Sequence, residues 1–287
     1  MNLLIFGMGY TAAAVVAGVP PNTGGGVRGT TRSAQKAAHL TQSEIDARVF
    51  PGDDVRGDIT WATHILITAG PEGGKDPVLT RLRPAFIDHA AQLMWVGYLS
   101  TTAVYGDHNG GWVDETTPPA PTTTRGQARL AAEQDWITLC HDHGLPVHIF
   151  RLPGIYGPGR GPFAKLRAGT ARRIIKDGQV FNRIHVDDLA QALRASMATP
   201  NPGAIYNIAD DVPAPPQDVI TYAATLLGRQ PPPALEYDVA PMSPMARDFY
   251  AESKRVDNQR MKRELGVNLR YPDYRVGLHA VLAAEET

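Results

Sequence analysis

The sequence predicts the α/β class: a doubly wound parallel sheet covered by helices on both faces, with a smaller lobe formed by the C-terminal part. Three observations carry this. The chain opens on an apolar run, Leu3–Phe6, which ends in the turn Gly7-x-Gly9 and passes directly into the small-residue stretch Thr11–Ala17. Strand-like and helix-like segments then alternate as far as Leu152, the rhythm of strands that run the same way and cross over through helices. Beyond residue 160 that rhythm thins, and proline clusters appear at Pro213–Pro216 and Pro231–Pro233. The expected division is a sheet domain over 1–160 and a smaller lobe over 161–287, with some strand or helix returning to the first.

Leu3–Phe6 reads as a buried strand. Gly7 and Gly9 permit a tight turn and let an anion approach the backbone, and Ala12 lets helix and strand close together. The helix N-terminus then offers unpaired N–H groups to a diphosphate. Gly7, Gly9, Tyr10 and Thr11 are therefore candidate dinucleotide contacts; the competing reading is a glycine turn with no ligand. Val19–Gly26 reads as a flexible loop, and Val27–Ser33 as a second strand and its exit. In dinucleotide-binding sheets an acidic residue at this point accepts from the ribose 2′-OH, whereas arginine accommodates a 2′-phosphate. No Asp or Glu is present, and Arg28, Thr31, Arg32 and Ser33 supply cations and hydroxyls. NADP is the cofactor this predicts, with NAD as the alternative; ordinary surface arginines are the competing account.

Ser33–Leu40 and Ser43–Ala47 read as helix or loop, leading to a third strand at Arg48–Phe50. The turn Pro51–Val55 sets Asp53 or Asp54 toward an adenine amino group, unless both are solvated turn residues. Thr63–Pro71 gives a fourth buried strand with a small, open exit at Ala69 and Gly70, where ligands sit in such sheets. Leu79–Ala91 has the period of an amphipathic helix, and Met94–Leu99 that of a fifth strand. Asp107–Thr124 is a polar loop, a helix runs from near Thr124 to His141, and Val147–Leu152 is a sixth strand. In the C-terminal part, Val219–Gly228 and Ser253–Leu265 have helical periodicity. The latter is basic, stops at Gly266, and is expected to turn a charged face to solvent.

Composition excludes several classes. With 28 basic against 29 acidic residues, nothing favours nucleic acid or an anionic membrane. The single cysteine, Cys140, allows no intrachain disulfide and suits a reducing compartment. No apolar run reaches the length of a membrane span or a signal segment, and no metal site is predicted. A cytoplasmic protein with a small-molecule ligand is the expectation.

Five separated segments fall in an order that resembles one family. They are Gly7-x-Gly9, Ser100-Thr-Thr-Ala-Val-Tyr-Gly106, Arg151-Leu-Pro-Gly-Ile-Tyr-Gly-Pro158, Arg183-Ile-His-Val-Asp-Asp188 and Tyr206-Asn-Ile208. Together they resemble the extended and atypical short-chain dehydrogenase/reductases, the NAD(P)-dependent epimerase/dehydratase group. The resemblance implies a Rossmann-type fold. It places the catalytic hydroxyl on Thr101, backbone contacts to the nicotinamide on Leu152, Pro153 and Gly154, and a strand reaching toward substrate over Arg183–Asp188. Arg160 and His185 become candidate substrate contacts. A homodimer formed through the helices flanking the fifth strand is the assembly it implies. Two alternatives stay open: Tyr105 and Tyr156 as core residues, and His185 as satisfied beside Asp187 and Asp188, which would cap a helix starting at Leu189.

In one place the chain departs from the family. The family's proton donor is a Tyr-x-x-x-Lys pair on one helical face; here the positions read Arg125-Gly-Gln-Ala-Arg129. Arginine keeps its proton at every accessible pH, so Arg125 cannot shuttle one, and losing such a group costs roughly 10²–10⁴-fold in rate. Arg129 retains the donors needed to bind a ribose or phosphate, or pairs with Glu133 at i+4. Proton delivery would fall to Tyr105, to His185, or to water beside a substrate acid group bound by Arg125. Two functions compete: an NAD(P)-dependent oxidoreductase or epimerase/dehydratase-like enzyme, and a non-catalytic NAD(P)-binding sensor.

Overall fold

The computed structural model describes residues 1–19, 25–43 and 45–286. Most of the loop expected over Val19–Gly26 lies outside the described residues, as does Glu44 within the Ser43–Ala47 stretch. The N-terminal part runs β1 (Leu3–Phe6), α1 (Tyr10–Ala17), β2 (Val27–Thr31), α2 (Ala34–Gln42), β3 (Asp46–Val49) and α3 (Arg56–Trp61). It continues through β4 (His64–Ile67), α4 (Leu79–Asp88), β5 (Trp95–Thr101), β6 (Trp112–Val113), α5 (Thr124–His143) and β7 (Val147–Leu152). Then come β8 (Gly154–Tyr156), α6 (Phe163–Arg167), β9 (Arg173–Ile175), β10 (Arg183–His185), α7 (Val186–Ala198) and β11 (Ile205–Asn207). The chain closes with α8 (Pro216–Leu226), β12 (Ala234–Glu236), α9 (Pro244–Ala251), β13 (Arg255–Val256), α10 (Gln259–Leu265) and α11 (Tyr274–Glu285).

Seven strands form the main sheet in the order β11-β7-β5-β4-β1-β2-β3. The pairings of β1 with β2 and β4, of β2 with β3 and of β4 with β5 are parallel. This is a Rossmann-type doubly wound sheet. Its order reverses at β1, and in open sheets of this kind ligands bind at the carboxyl ends of strands beside that switch point. The central strands β1 and β4 are buried at every position, as strands covered on both faces must be.

The chain packs as two compact units that interleave in sequence. The first comprises Met1–Thr101, Thr124–Arg151 and Leu189–Tyr206; the second comprises Thr102–Thr123, Leu152–Asp188 and Asn207–Thr287. The chain leaves the first unit after Thr101, after Arg151 and after Tyr206, and comes back to it twice; the sequence reading sets its boundary at 160 and expects some strand or helix to return. In that unit Leu4, Phe6, Ile65, Ile67, Val96, Tyr98, Val147 and Ile149 alternate along four strands and share a core with Phe86, Trp136 and Leu139. Phe86 and Trp136 meet edge to face at 5.0 Å, a geometry that adds to the area they bury.

The second unit is built on three short parallel pairs: β8 with β10, β9 with β12, and β6 with β13. Its main core joins Tyr156, Phe163, Ala223, Tyr274, Leu278 and Val281. The expected polar loop Asp107–Thr124 therefore contains a strand. Ser253 carbonyl accepts from His108 N–H at 3.1 Å and from Gly110 N–H at 2.8 Å, which aligns the two segments.

Several element expectations are corrected. The third strand is Asp46–Val49 rather than Arg48–Phe50, because Asp46 pairs in register with Arg28 and the two side chains form an ion pair. The helix read over Ser253–Leu265 begins only at Gln259; Arg255–Val256 is spent on pairing with β6. Lys254 faces inward and binds Glu252 and the Gly106 carbonyl, so the solvated basic face holds only for the part after Asn258. The helix expected to start at Leu189 begins at Val186. Asp188 does not cap it: its carboxylate accepts the N–H groups of Arg270 and Tyr271, both at 2.9 Å.

Candidate functional site

In the first unit the glycine corner has the geometry a diphosphate requires. Gly7 stands at φ +99°, and a Cβ there would meet Thr68 Oγ1 at 2.5 Å. Two threonines hold the turn: Gly7 N–H donates to Thr30 Oγ1 at 3.1 Å, and Thr68 Oγ1 donates to the Phe6 carbonyl at 3.1 Å and to the Gly7 carbonyl. Gly9 is the N-cap of α1 and has no side chain to satisfy the first-turn N–H groups. A Cβ on Gly9 would meet nothing nearer than the Gly7 carbonyl at 3.9 Å, so the approach to those groups is open. Tyr10 is half-buried and Thr11 buried behind them. An anionic cofactor fits this corner through main-chain amides.

At the end of β2, Arg28 is drawn away. It belongs to the beginning of the strand, donates to Asp58 Oδ1 at 2.8 Å, and lies 4.2 Å from the Trp61 ring. Thr31 is buried and accepts the Ser33 N–H at 3.4 Å, while Ser33 caps α2 by accepting from Lys36 N–H at 3.3 Å. Arg32 is exposed beside them. Asp53 accepts from the Val49 N–H at 2.8 Å, and Asp54 is ion-paired to Arg56, which holds its carboxyl down to about 2. Both are local turn residues rather than groups extended toward a base.

The exit of β4 at Ala69 and Gly70 is occupied from α5. Arg129 Nη1 donates to the Leu99 carbonyl, and a Cβ on Gly70 would meet Arg129 Nη2 at 2.7 Å. The guanidinium also lies 5.6 Å from the Tyr98 ring. The alternative, an i+4 ion pair with Glu133, is not made among the described residues. Glu133 instead joins Arg151 and Ser100 in a buried trio. Thr101, half-buried, ends β5, and Arg125 is exposed in the first turn of α5.

In the second unit, Tyr105 is fully buried and donates its hydroxyl to Asn207 Oδ1 at 2.8 Å. The Asn207 N–H donates in turn to Glu115 Oε1 at 2.7 Å. Burial pushes the Glu115 carboxyl above its usual range. This favours the core reading of Tyr105: its proton is committed inside the unit. Leu152 is buried, and Gly154 is exposed, with room around its Cα. Arg160 is exposed at the end of a tight turn from Gly157. His185 is buried against the rings of Tyr156 at 5.2 Å and Tyr271 at 3.8 Å. Its Nδ1 accepts from the Asp187 N–H at 3.2 Å, Nε2 has no partner among the described residues, and burial pushes the imidazole pKa down. It is a neutral, enclosed histidine.

Sequence reasoning missed Ser100, Glu133, Glu115 and Asn207. For Glu133 a signal existed, since it falls on the stripe of α5 that also buries Gly126, Ala132, Trp136 and Leu139. An acid on an apolar stripe needs a buried cation, and Arg151 in the apolar run Val147–Leu152 is the matching anomaly. Glu115 and Asn207 are 92 residues apart in the chain and carried no such sign.

Fold and corner together define a Rossmann-type protein. The family model described as the NAD dependent epimerase/dehydratase family matches residues 87–209, less than half of the chain. It is 54% identical, at a TM-score of 0.94, to a functionally unknown conserved protein from Silicibacter pomeroyi DSS, over 100% of this chain and 99% of that one. It is 36% identical over 182 residues to Protein YeeZ of Escherichia coli (strain K12), a match covering 61% of this chain and 58% of that relative's length. UDP-glucuronic acid 4-epimerase from Bacillus cereus, solved in complex with NAD, shares the fold at a TM-score of 0.81 with 17% identity, over 100% of this chain and 97% of that one. Among the described residues no helix is long and apolar enough to cross a membrane.

Proposed function

We propose that the chain binds NADP in preference to NAD and is an oxidoreductase, or an epimerase- or dehydratase-like enzyme, acting on a hydroxyl or carbonyl of a small metabolite, nucleotide-linked ones included. The observation that carries this is the uncapped first turn of α1 behind Gly7 and Gly9, in a chain whose residues 87–209 match the epimerase/dehydratase family model. Arg32, Ser33 and the N-terminus of α2 form the group suited to a 2′-phosphate, with Arg28 withdrawn to Asp58. A bound nicotinamide supplies or accepts hydride. Thr101 orients the reacting oxygen through its hydroxyl, and Arg129 holds the cofactor. Arg125 neutralises an acidic group on the substrate, and the proton comes from water. Neither Tyr105, committed to Asn207, nor the enclosed His185 is suited to supply it.

The test is a fluorescence titration with NADPH and NADH, followed by turnover on a panel of carbonyl and nucleotide-sugar substrates. Tighter binding of NADPH with turnover of at least one compound is expected. The arginines at 125 and 129 and the committed Tyr105 favour a second reading, a non-catalytic NAD(P) sensor. Tight binding with no turnover across the panel would establish that reading instead, and failure to bind either nucleotide would overturn both.

A further inference from the structure

The first unit holds two opposite charges where its core needs none. Glu133 on α5 and Arg151 on β7 have side chains 1% and 3% exposed. Arg151 Nη2 donates to Glu133 Oε2 at 2.9 Å, and its Nε donates to both carboxylate oxygens at 3.3 Å. Ser100 on β5, also buried, donates its hydroxyl to Glu133 Oε1. Withdrawing two charges from water costs about as much as their attraction returns, and apolar side chains of similar volume stabilise a core as well or better. What the trio supplies and a leucine would not is direction, because a forked guanidinium–carboxylate pair fixes helix and strand to one mutual register.

Its placement decides what is being registered. Ser100 immediately precedes Thr101. Glu133 is one turn along α5 from Arg129, whose guanidinium returns to the Leu99 carbonyl of the same strand. Arg151 lies on β7, the neighbour of β5 in the sheet, and is the residue before Leu152-Pro153-Gly154. Each member of the trio thus adjoins a residue assigned to the nicotinamide end of the site, and none belongs to the Gly7 corner that holds the diphosphate.

We infer that Glu133, acting through Arg151 and Ser100, is a positioning residue for the nicotinamide end of the site: it holds Thr101 and Arg129 in place while touching neither cofactor nor substrate. The inference rests on the NAD(P) reading above. Its test compares the nicotinamide nucleotide the wild type prefers with the same molecule lacking the nicotinamide ring, the ADP-ribose form or its 2′-phosphate. Affinities are measured calorimetrically on the full chain, together with thermal midpoints. The decisive variant is the apolar double replacement Glu133→Leu with Arg151→Met, which removes both charges at once.

That variant is expected to keep a midpoint near the wild-type value and an unchanged affinity for the ringless analogue. Its preference for the complete nucleotide should fall about tenfold, the equivalent of one charge-assisted hydrogen bond. A purely structural pair would leave both affinities unchanged or weaken both in proportion, and either result overturns the inference. Should the double variant not fold, Ser100→Ala decides: a reduced preference supports the inference and an unchanged one overturns it. If the wild type binds neither nucleotide, the NAD(P) reading itself fails and takes the inference with it, an outcome plainly distinct from a wild type that binds and a variant that does not differ.

Discussion

Gly7 shows how much one position can decide. Its φ of +99° suits a residue without a Cβ, and the space a methyl would fill is already taken by Thr68 Oγ1. Gly7→Ala is expected to cost about 1–3 kcal/mol in backbone strain, with further loss from the displaced threonine. A lowered thermal midpoint and lost nucleotide affinity would be read together; an unaltered affinity would remove this corner from the site. His148 gives a second residue-level expectation. It is fully buried, its Nε2 accepts the Asn201 N–H at 2.8 Å, and its ring stacks 5.8 Å from Trp95. Burial pushes its pKa down to about 4, from about 6.5 in the unfolded chain. The unfolded state therefore binds the extra proton first. The contribution of neutral His148 is complete above pH 6.5 and declines toward pH 4, by at most about 1.4 kcal/mol per pH unit. Urea midpoints between pH 7.5 and 4.5 should fall less steeply in His148→Gln than in the wild type. Equal slopes would show that another group governs acid sensitivity.

At the scale of elements, capping is the clearest example of sequence acting locally. Asp273 precedes α11 and accepts the N–H groups of Arg275 at 2.7 Å and Val276 at 3.0 Å. Asp273→Ala is expected to destabilise the chain by about 1 kcal/mol, measured by denaturant titration; an unchanged midpoint would show that the cap contributes nothing. The same helix carries Gly277, where a Cβ would overlap the Tyr156 hydroxyl. Close packing of α11 on β8 thus depends on that one missing methyl. Helix α5 teaches the opposite lesson. Its course from near Thr124 to His141 was legible from the helix pattern, two residues short of its end at His143, but which way Arg129 and Glu133 turn was not. An i+4 argument paired the two with each other, whereas the buried cation that captured Glu133 comes from β7, 18 residues further on.

For the whole molecule, the interleaving of the two units has a direct consequence. Most of β11 and of α7 belongs to the first unit, yet both follow the 152–188 segment of the second. A fragment ending at residue 160 would lack both, leaving β7 as an unpaired edge of the sheet. Such a fragment is expected to show no cooperative unfolding transition by circular dichroism, while the full chain does. A well-behaved fragment would mean that the first unit is complete without its returning segment. Nucleotide binding gives the complementary whole-chain measurement. NADPH at about 100 times its Kd should stabilise the native state by about 2.7 kcal/mol. At equal concentration NADH should shift the midpoint less; an equal or larger shift would remove the case for NADP.

The sequence by itself determined the sheet class, the glycine corner, most strands of the N-terminal half, and the loss of the Tyr-x-x-x-Lys pair. All of these are properties of a short window: an apolar run, a turn that only glycine permits, a four-residue spacing on one helix. Only the tertiary structure decided the rest. It turned Arg28 to Asp58 and away from the strand end, committed Tyr105 to Asn207, enclosed His185 among tyrosines, and joined Ser100, Glu133 and Arg151. It also drew Lys254 inward and made a strand pair from segments read as loop and helix. The physical reason is common to all of them. A charged or hydroxylated side chain has several partners within reach of its own sequence neighbourhood, and the one it takes depends on which distant element burial brings alongside.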